Sequence, residues 1–305
     1  MKVLSLPPHR RHETVVGYLF IAPYLVLFVA FVLVPVVWGF FISLHNWHVL
    51  GEQKPFVGFA NYRALLKDDL FGIALLNTGY FALLTVIPGN IVSLVLALGL
   101  NARIRGEDVY KAIFYLPVIL SVAVVAIIWR WMYSTEFGLL NHYLKVLWEF
   151  LPLPGEFHPI PWLNSPQSAM PSLALMSIWW GAGGNMLIYL AGLRAIPEEY
   201  YEAARIDGAN NWARFWHITL PLLRPSLLFC LVMSLIGSSQ VFGQSYILTG
   251  GGPHYSTLTV VLYMYQTGFS LYRMGYACAV AYIMFAIVLV FTLLQFRLLS
   301  ARQEE

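Results

Sequence analysis

Long apolar runs alternate with short polar stretches along this chain, and the longest polar passage between two runs is residues 195–225, AIPEEYYEAARIDGANNWARFWHITLPLLRP. Pro197 has a fixed φ and no N–H, so it suits the first position of a helix. Glu198 and Glu199 follow in the first turn, where the helix dipole favours negative charge. That helix is expected to run to about Asp207 and break at Gly208. Asn210 or Asn211 can cap a second helix, in which Trp212, Phe215, Trp216 and Thr219 fall at i, i+3, i+4 and i+7, forming one apolar face before Pro221 stops it.

The apolar runs read as membrane spans. Residues Thr14 to Leu44 carry no charge; the run exceeds a signal-peptide core and lacks a small-residue cleavage pattern, so it is expected to be retained. Residues 45–70 turn polar and aromatic, as a loop with a short interfacial helix would. A second uncharged run ends at the basic turn of Arg103, Arg105 and Lys111, and a third follows. Residues 133–167 mix charges with five prolines, Pro152, Pro154, Pro159, Pro161 and Pro166, and read as a surface loop. Residues 226–272 hold no Asp, Glu, Lys or Arg, which is too long for one span. Gly250, Gly251, Gly252 and Pro253 divide it into a fifth span and a flexible extramembrane loop. The expected spans are about 15–43, 77–101, 112–132, 168–193, 226–248 and 274–296, forming one six-span domain over 14–296 with tails 1–13 and 297–305.

Composition fits that pattern. With 59% hydrophobic residues, 11% charged and a mean hydropathy of +0.68, the chain lies far from soluble domains, where about a quarter of residues are charged. An all-α integral membrane protein with six transmembrane helices is expected. On the terminal side are Lys2, Arg10, Arg11, Arg103, Arg105, Lys111, Arg194, Arg205, Arg214, Arg224, Arg297 and Arg302, against Lys54, Arg63, Lys67, Arg130, Lys145 and Arg273 on the other, twelve to six. The positive-inside rule then puts both termini and the 195–225 stretch in the cytoplasm. A net charge of +3 with no basic run gives no support for nucleic-acid binding. Cys230 and Cys278 fall in apolar spans and read as small core residues.

The spans contain no Asp, Glu or Lys, and their one Arg, Arg130, sits at the end of the third, beside Trp129 and Trp131. Ion-coupled transporters need ionisable groups or unwound helices near the midplane, so that energy source looks absent. No phosphate loop, His-Glu-x-x-His or Gly-x-Ser-x-Gly pattern is present either. Uphill movement would take its energy from a partner meeting the 195–225 stretch.

Glu202-Ala203-Ala204, three residues, Gly208, nine residues and Ile218-Thr219-Leu220-Pro221 resemble the EAA loop of inner-membrane permease subunits in binding-protein-dependent ABC importers. The remainder is similar to the carbohydrate branch, of maltose, trehalose and glycerol-phosphate type, at Phe56-Val57-Gly58-Phe59, Asn61-Tyr62, Asn77-Thr78, Tyr115-Leu116-Pro117, Gly138 with Asn141, Ala191-Gly192-Leu193 and Leu248-Thr249-Gly250-Gly251-Gly252-Pro253. The resemblance implies a type I ABC importer permease fold and import of a sugar or polyol across a bacterial or archaeal cytoplasmic membrane. It implies a second permease subunit in a heterodimer, two ATPase subunits at the EAA loop and an external substrate-binding protein docking on outer loops. No cofactor belongs to this chain, since ATP is bound by the partner subunits, and the chain is not itself an enzyme.

By the same resemblance Glu202, Ala203, Ala204, Asp207, Gly208, Ala209, Trp212, Phe215, Ile218, Leu220 and Pro221 couple to the ATPase. Glu202 pairs there with a basic residue and Gly208 allows the turn. The corresponding substrate path is Ser177, Trp180, Gly181 and Asn185 with Ser234, Ser238, Gln240 and Gln244, where amides, hydroxyls and aromatic faces suit a neutral polyol. Such permeases often carry Asp after the Phe of the fifth span, where this sequence has Gly243. The rivals are a membrane enzyme acting on lipid-linked sugars, whose nearest carboxylate pair is Asp68 and Asp69 with no matching His, and an ATP-independent facilitator, which has no use for an EAA loop.

Overall fold

In hydrocarbon every backbone N–H and C=O must find a partner within the protein, which leaves helices or closed barrels. The computed structural model describes residues 8–102, 105–151 and 155–300, and these form helices and turns with two isolated β-bridges. Lys2, Arg103, Pro152, Pro154 and Arg302 lie outside the described residues. Val16–Ser43, Asp69–Asn101, Pro166–Arg194 and Met274–Gln295 are each long and apolar enough to cross a membrane. Two bent pairs, Glu107–Ile119 with Val122–Met132 at 97° and Asn211–Leu222 with Arg224–Ser239 at 67°, raise the number to six if each pair is one span.

The chain divides into two units. The first holds residues up to Leu65 and Gln266–Tyr282. In it α1 (Pro8–Phe28) and α2 (Val34–Ser43) join through a π-helical turn at Val29–Leu33, and α3 is Ala60–Leu65. Asn61 explains its place beside Tyr62: its Nδ2 donates to the carbonyls of Ser43 at 2.8 Å and His45 at 2.9 Å, closing the end of α2. The start of α15 (Met274–Ser300) packs here, where a Cβ on Gly275 would meet the His45 carbonyl at 2.1 Å.

The second unit holds Leu66–Tyr265 and the rest of α15. It contains α4 (Asp69–Asn101), α5 (Glu107–Ile119), α6 (Val122–Met132), α7 (Leu139–Phe150), α8 (Pro166–Arg194), α9 (Glu198–Ile206), α10 (Asn211–Arg214), α11 (Leu220–Leu222), α12 (Arg224–Ser239), α13 (Gly243–Leu248) and α14 (Val260–Tyr265). Helices α4 and α8 run side by side, Ser93 Oγ donating to the Ala182 carbonyl at 2.9 Å. Gly183 of α8 lies against α5, and a Cβ there would sit 2.1 Å from the Phe114 carbonyl.

Several expectations are corrected. The third run is two helices, because Pro117 removes a backbone donor and the chain extends at Leu120 and Ser121; Ser121 Oγ then caps α6, accepting from Val124 N at 3.4 Å. The fifth run leaves the helix after Ser239, and Phe242 (φ −135°, ψ −60°) precedes the separate α13. Residues 133–167 are not only loop: α7 lies within them, and its buried Asn141 receives the Ile160 N–H and Trp162 Nε1, both at 3.1 Å. The glycine stretch is a hydrogen-bonded turn rather than a free loop, with Thr257 Oγ1 donating to the Gly252 carbonyl at 2.7 Å, and the described chain becomes helical again at α14. Pro221 does not stop the aromatic-faced helix; it lies in α11, reached through a π-helical turn at Phe215–Thr219, and the bend comes at Leu223.

The Gly183 contact predicts a packing limit. Gly183→Val should lower the thermal stability of the detergent-purified protein by about 1–3 kcal/mol, while Gly99→Ala, whose Cβ meets nothing within 4 Å, should be tolerated. Melting curves of the two variants check this.

Candidate functional site: a neutral polar cavity and an exposed helical hairpin

Helices α4, α8 and α12 enclose a cavity of about 260 Å³. Phe81, Thr85, Val86, Gly89 and Ser93 line it from α4, Ser177, Ile178, Trp180, Gly181, Ala182 and Asn185 from α8, Ser234, Gly237 and Ser238 from α12, and Gln244 from α13. It lies between two apolar clusters along α8. One gathers Leu173 and Met176 with Phe81 and Trp129; the other gathers Met186, Tyr189 and Leu193 with Leu100, Leu223 and Cys230. None of the lining side chains carries a charge.

Seven of the eight residues expected on a substrate path line this one cavity: Ser177, Trp180, Gly181, Asn185, Ser234, Ser238 and Gln244. Gln240 does not. The chain leaves the α12 helix there, and its side chain is exposed. Trp180 is fixed by its Nε1 donating to the Leu120 carbonyl at 3.1 Å.

Sequence reasoning passed over α4, which supplies a third of the lining and the residue that joins all three helices. Asn90, 6% exposed, donates through Nδ2 to the Val86 carbonyl at 2.7 Å and to Ser234 Oγ at 3.1 Å. Its Oδ1 accepts from Tyr189 OH at 2.6 Å, and Asn185 Nδ2 donates to Ser234 Oγ at 3.0 Å. The signal was present: Thr78, Thr85, Gly89 and Ser93 fall at intervals that keep small and polar side chains on one helix face.

The 195–225 stretch forms the expected hairpin. Helix α9 ends at Ile206, Gly208 turns the chain at φ +78°, and Asn210 Oδ1 caps α10 by accepting from Ala213 N at 2.8 Å. Trp212, Phe215 and Trp216 pack together with ring centroids 5.4–6.2 Å apart. Glu202, Ala203, Asp207 and Gly208 are exposed, as are Ile206 at 87% and Trp212 at 69%. Ala204, Ala209, Phe215, Ile218, Leu220 and Pro221 are half-buried. Gly250 (φ +62°) and Gly251 (φ +95°) adopt left-handed backbone, and the turn of Gly250–Pro253 leads to Tyr255 and Leu258, whose carbonyls accept from Asn77 Nδ2 at 2.7 and 3.0 Å.

Residues 89–303 match the family described as the binding-protein-dependent transport system inner membrane component. The chain belongs to this family. It is 35% identical over 292 residues to the trehalose/maltose transport system permease protein MalF of Thermococcus litoralis, covering 96% of each chain. It is 36% identical over 284 residues to the arabinooligosaccharides transport system permease protein AraP of Bacillus subtilis, covering 92% of this chain and 87% of that one. Its fold matches a bacterial alginate ABC transporter in complex with an alginate pentasaccharide-bound periplasmic protein, with a TM-score of 0.79 at 24% identity over 94% of each chain.

A permease of this family is not itself catalytic, and Asp68, one of the two carboxylates offered to the enzyme rival, is engaged in capping a helix. Asp68 caps α4, accepting from Leu70 N at 3.0 Å and Phe71 N at 3.3 Å, and also receives Tyr263 OH at 2.5 Å. The absence of a side chain at Gly243 has a steric reason: a Cβ there would meet Val122 Cγ1 at 2.8 Å. Gly243→Asp should therefore destabilise the permease by about 1–3 kcal/mol, and Val122→Ala in the same chain should recover most of it. Thermal melts of both variants check this; a loss unmoved by Val122→Ala would place the strain elsewhere.

Proposed function

We propose that this permease is one half of a heterodimeric importer that moves a neutral sugar or related polyol through the α4, α8 and α12 cavity. An external binding protein delivers the substrate, and two ATPase subunits drive the cycle from the 195–225 hairpin. The termini and the hairpin face the cytoplasm, on the side rich in Lys and Arg. The sugar reading draws support from the printed roles of the relatives, trehalose/maltose and arabinooligosaccharide transport, and from a cavity lined by hydroxyl, amide and indole groups with no charge.

One observation carries the coupling. The hairpin lies between two of the helices that line the cavity: α8 runs from Ser177 at the lining to Arg194, three residues before Pro197, and α12 runs back from Arg224 to Ser234 and Ser238. A displacement at the hairpin is thereby applied to both walls through continuous helix. Trp212 and Trp216 give the hairpin an exposed apolar face that wants a partner, and exposed Glu202 offers a carboxylate to a basic residue of the ATPase.

Gly208 tests this. A Cβ at Gly208 meets nothing within 4 Å, so its φ of +78° is the constraint on a substitution, not space. Gly208→Val should reduce substrate-stimulated ATP hydrolysis by the reconstituted complex on the order of tenfold, from the roughly 1–2 kcal/mol strain of left-handed backbone, with membrane insertion intact. Gly208→Asn should keep most of the stimulation, because asparagine tolerates that conformation. Full stimulation in Gly208→Val would overturn the coupling role, and purification of the tagged chain as an active homo-oligomer without an ATPase would favour the facilitator.

A further inference from the structure

The hydrogen bonds around the cavity fix which atoms can face a ligand. The Val86 carbonyl can only accept, so the amide atom of Asn90 that meets it at 2.7 Å is Nδ2. The other atom is therefore the acceptor Oδ1, which receives Tyr189 OH. Asn185 approaches that same Oδ1 at 3.5 Å and Ser234 Oγ at 3.0 Å. It presents Nδ2 to both, and its own carbonyl oxygen is left on the side of the cavity that Asn185 lines.

The hydroxyls repeat this polarity. Thr85 donates to the Phe81 carbonyl at 2.8 Å, Ser177 to Leu173 at 2.7 Å and Ser238 to Leu235 at 3.0 Å. Each has spent its one hydrogen on helix backbone and keeps lone pairs. The Trp180 N–H is likewise taken by Leu120. Ser234, which accepts two amides, retains its hydrogen, and Gln244 carries both kinds of group. Acceptors thus dominate the polar groups of the lining, and the lining holds no cation to offset added negative charge.

We infer that the cavity reads a sugar through its hydroxyl hydrogens and rejects acidic sugars, with Asn90 as the positioning residue that turns the Asn185 oxygen inward. A carboxylate offers only lone pairs and would meet the lone pairs of these hydroxyls and of the Asn185 carbonyl, with no cation in the lining beside them. The inference rests on the sugar-import reading and names the substrate class within it.

The test measures binding to the purified complex in nanodiscs, with its partner permease and ATPases and without the binding protein, by saturation-transfer NMR. The probes are maltose, trehalose and lactose, then the deoxyfluoro and uronic-acid analogues of whichever binds. Fluorine can accept weakly but cannot donate, so with the hydroxyls replaced one at a time, those that donate to the lining should show as analogues binding on the order of tenfold more weakly than the parent, and the uronate should bind at least as weakly. Analogues binding as well as the parent sugar would overturn the inference while leaving sugar import standing. Failure of every neutral sugar to bind would remove the import reading and the inference together. Asn90→Ala frees the Asn185 amide to turn, so the preference for neutral over uronate should shrink several-fold; a merely structural loss would weaken both ligands alike. If that variant does not assemble, Thr85→Val removes one acceptor at similar volume. It should weaken the parent sugar but not the fluoro analogue lacking the matching hydrogen, and equal weakening of both would overturn the assignment.

Discussion

An amide buried without partners costs about 1–3 kcal/mol, and this constraint organises the second unit around Asn90. Its side chain bonds within α4, to Tyr189 on α8 and to Ser234 on α12, so three helices are held in register at one level. Hydrophobic packing in a bilayer gives little preference for one helix register over another, because lipid tails are as apolar as leucine. Polar contacts and close approach through small residues supply that preference here. Ser93 bonds to the Ala182 carbonyl, and Gly183 lets α8 touch the backbone of α5. The cavity lies at the level where these contacts replace the apolar clusters above and below it.

A neutral lining has a consequence for energy. A transporter that couples to protons or sodium needs a group in the path whose charge or coordination changes during the cycle. The lining offers hydroxyls, amides and an indole, none of which ionises near neutral pH. On the proposed reading, drive arrives mechanically through the hairpin between α8 and α12. Arg194, at the end of α8, is paired with Glu107 at the start of α5, so movement of α8 would be shared with the helix that packs on Gly183.

Much of this was legible in the sequence because the constraints were local. The Gly208 break and a cap at Asn210 or Asn211 follow from backbone conformation and capping, which act within a few residues; the structure has Gly208 in left-handed backbone and Asn210 as the cap. The family resemblance pointed to two stretches, and their polar residues Ser177, Asn185, Ser234 and Ser238 do converge. What was missed depends on tertiary contact. Asn90 is one polar residue in a long apolar helix, and its role exists only because Ser234 and Tyr189, distant in sequence, arrive beside it. Gln240 misled for the converse reason: its residue type suited a sugar, but a departure from helix at that position turned it outward.

The breaks themselves are where hydropathy misleads most, since Ile119–Val122 and Ser239–Gly243 lie inside uncharged runs that read as single spans. A broken helix frees backbone groups that lipid cannot satisfy, and it persists only where protein or a cavity supplies partners. Both breaks meet this condition. The Leu120 carbonyl receives Trp180 Nε1 at 3.1 Å, and the Val241 carbonyl receives the buried Thr259 hydroxyl at 2.8 Å. The breaks also pack on one another, Gly243 at the start of α13 lying against Val122 at the start of α6. Two runs thus break at one place beside the cavity, one carbonyl at each break held by a side chain from another element. The absence of a side chain at residue 243 follows from that packing: the position opposite Val122 is occupied by the neighbouring helix, so whatever polarity the cavity presents must come from Gln244 and the α4, α8 and α12 walls.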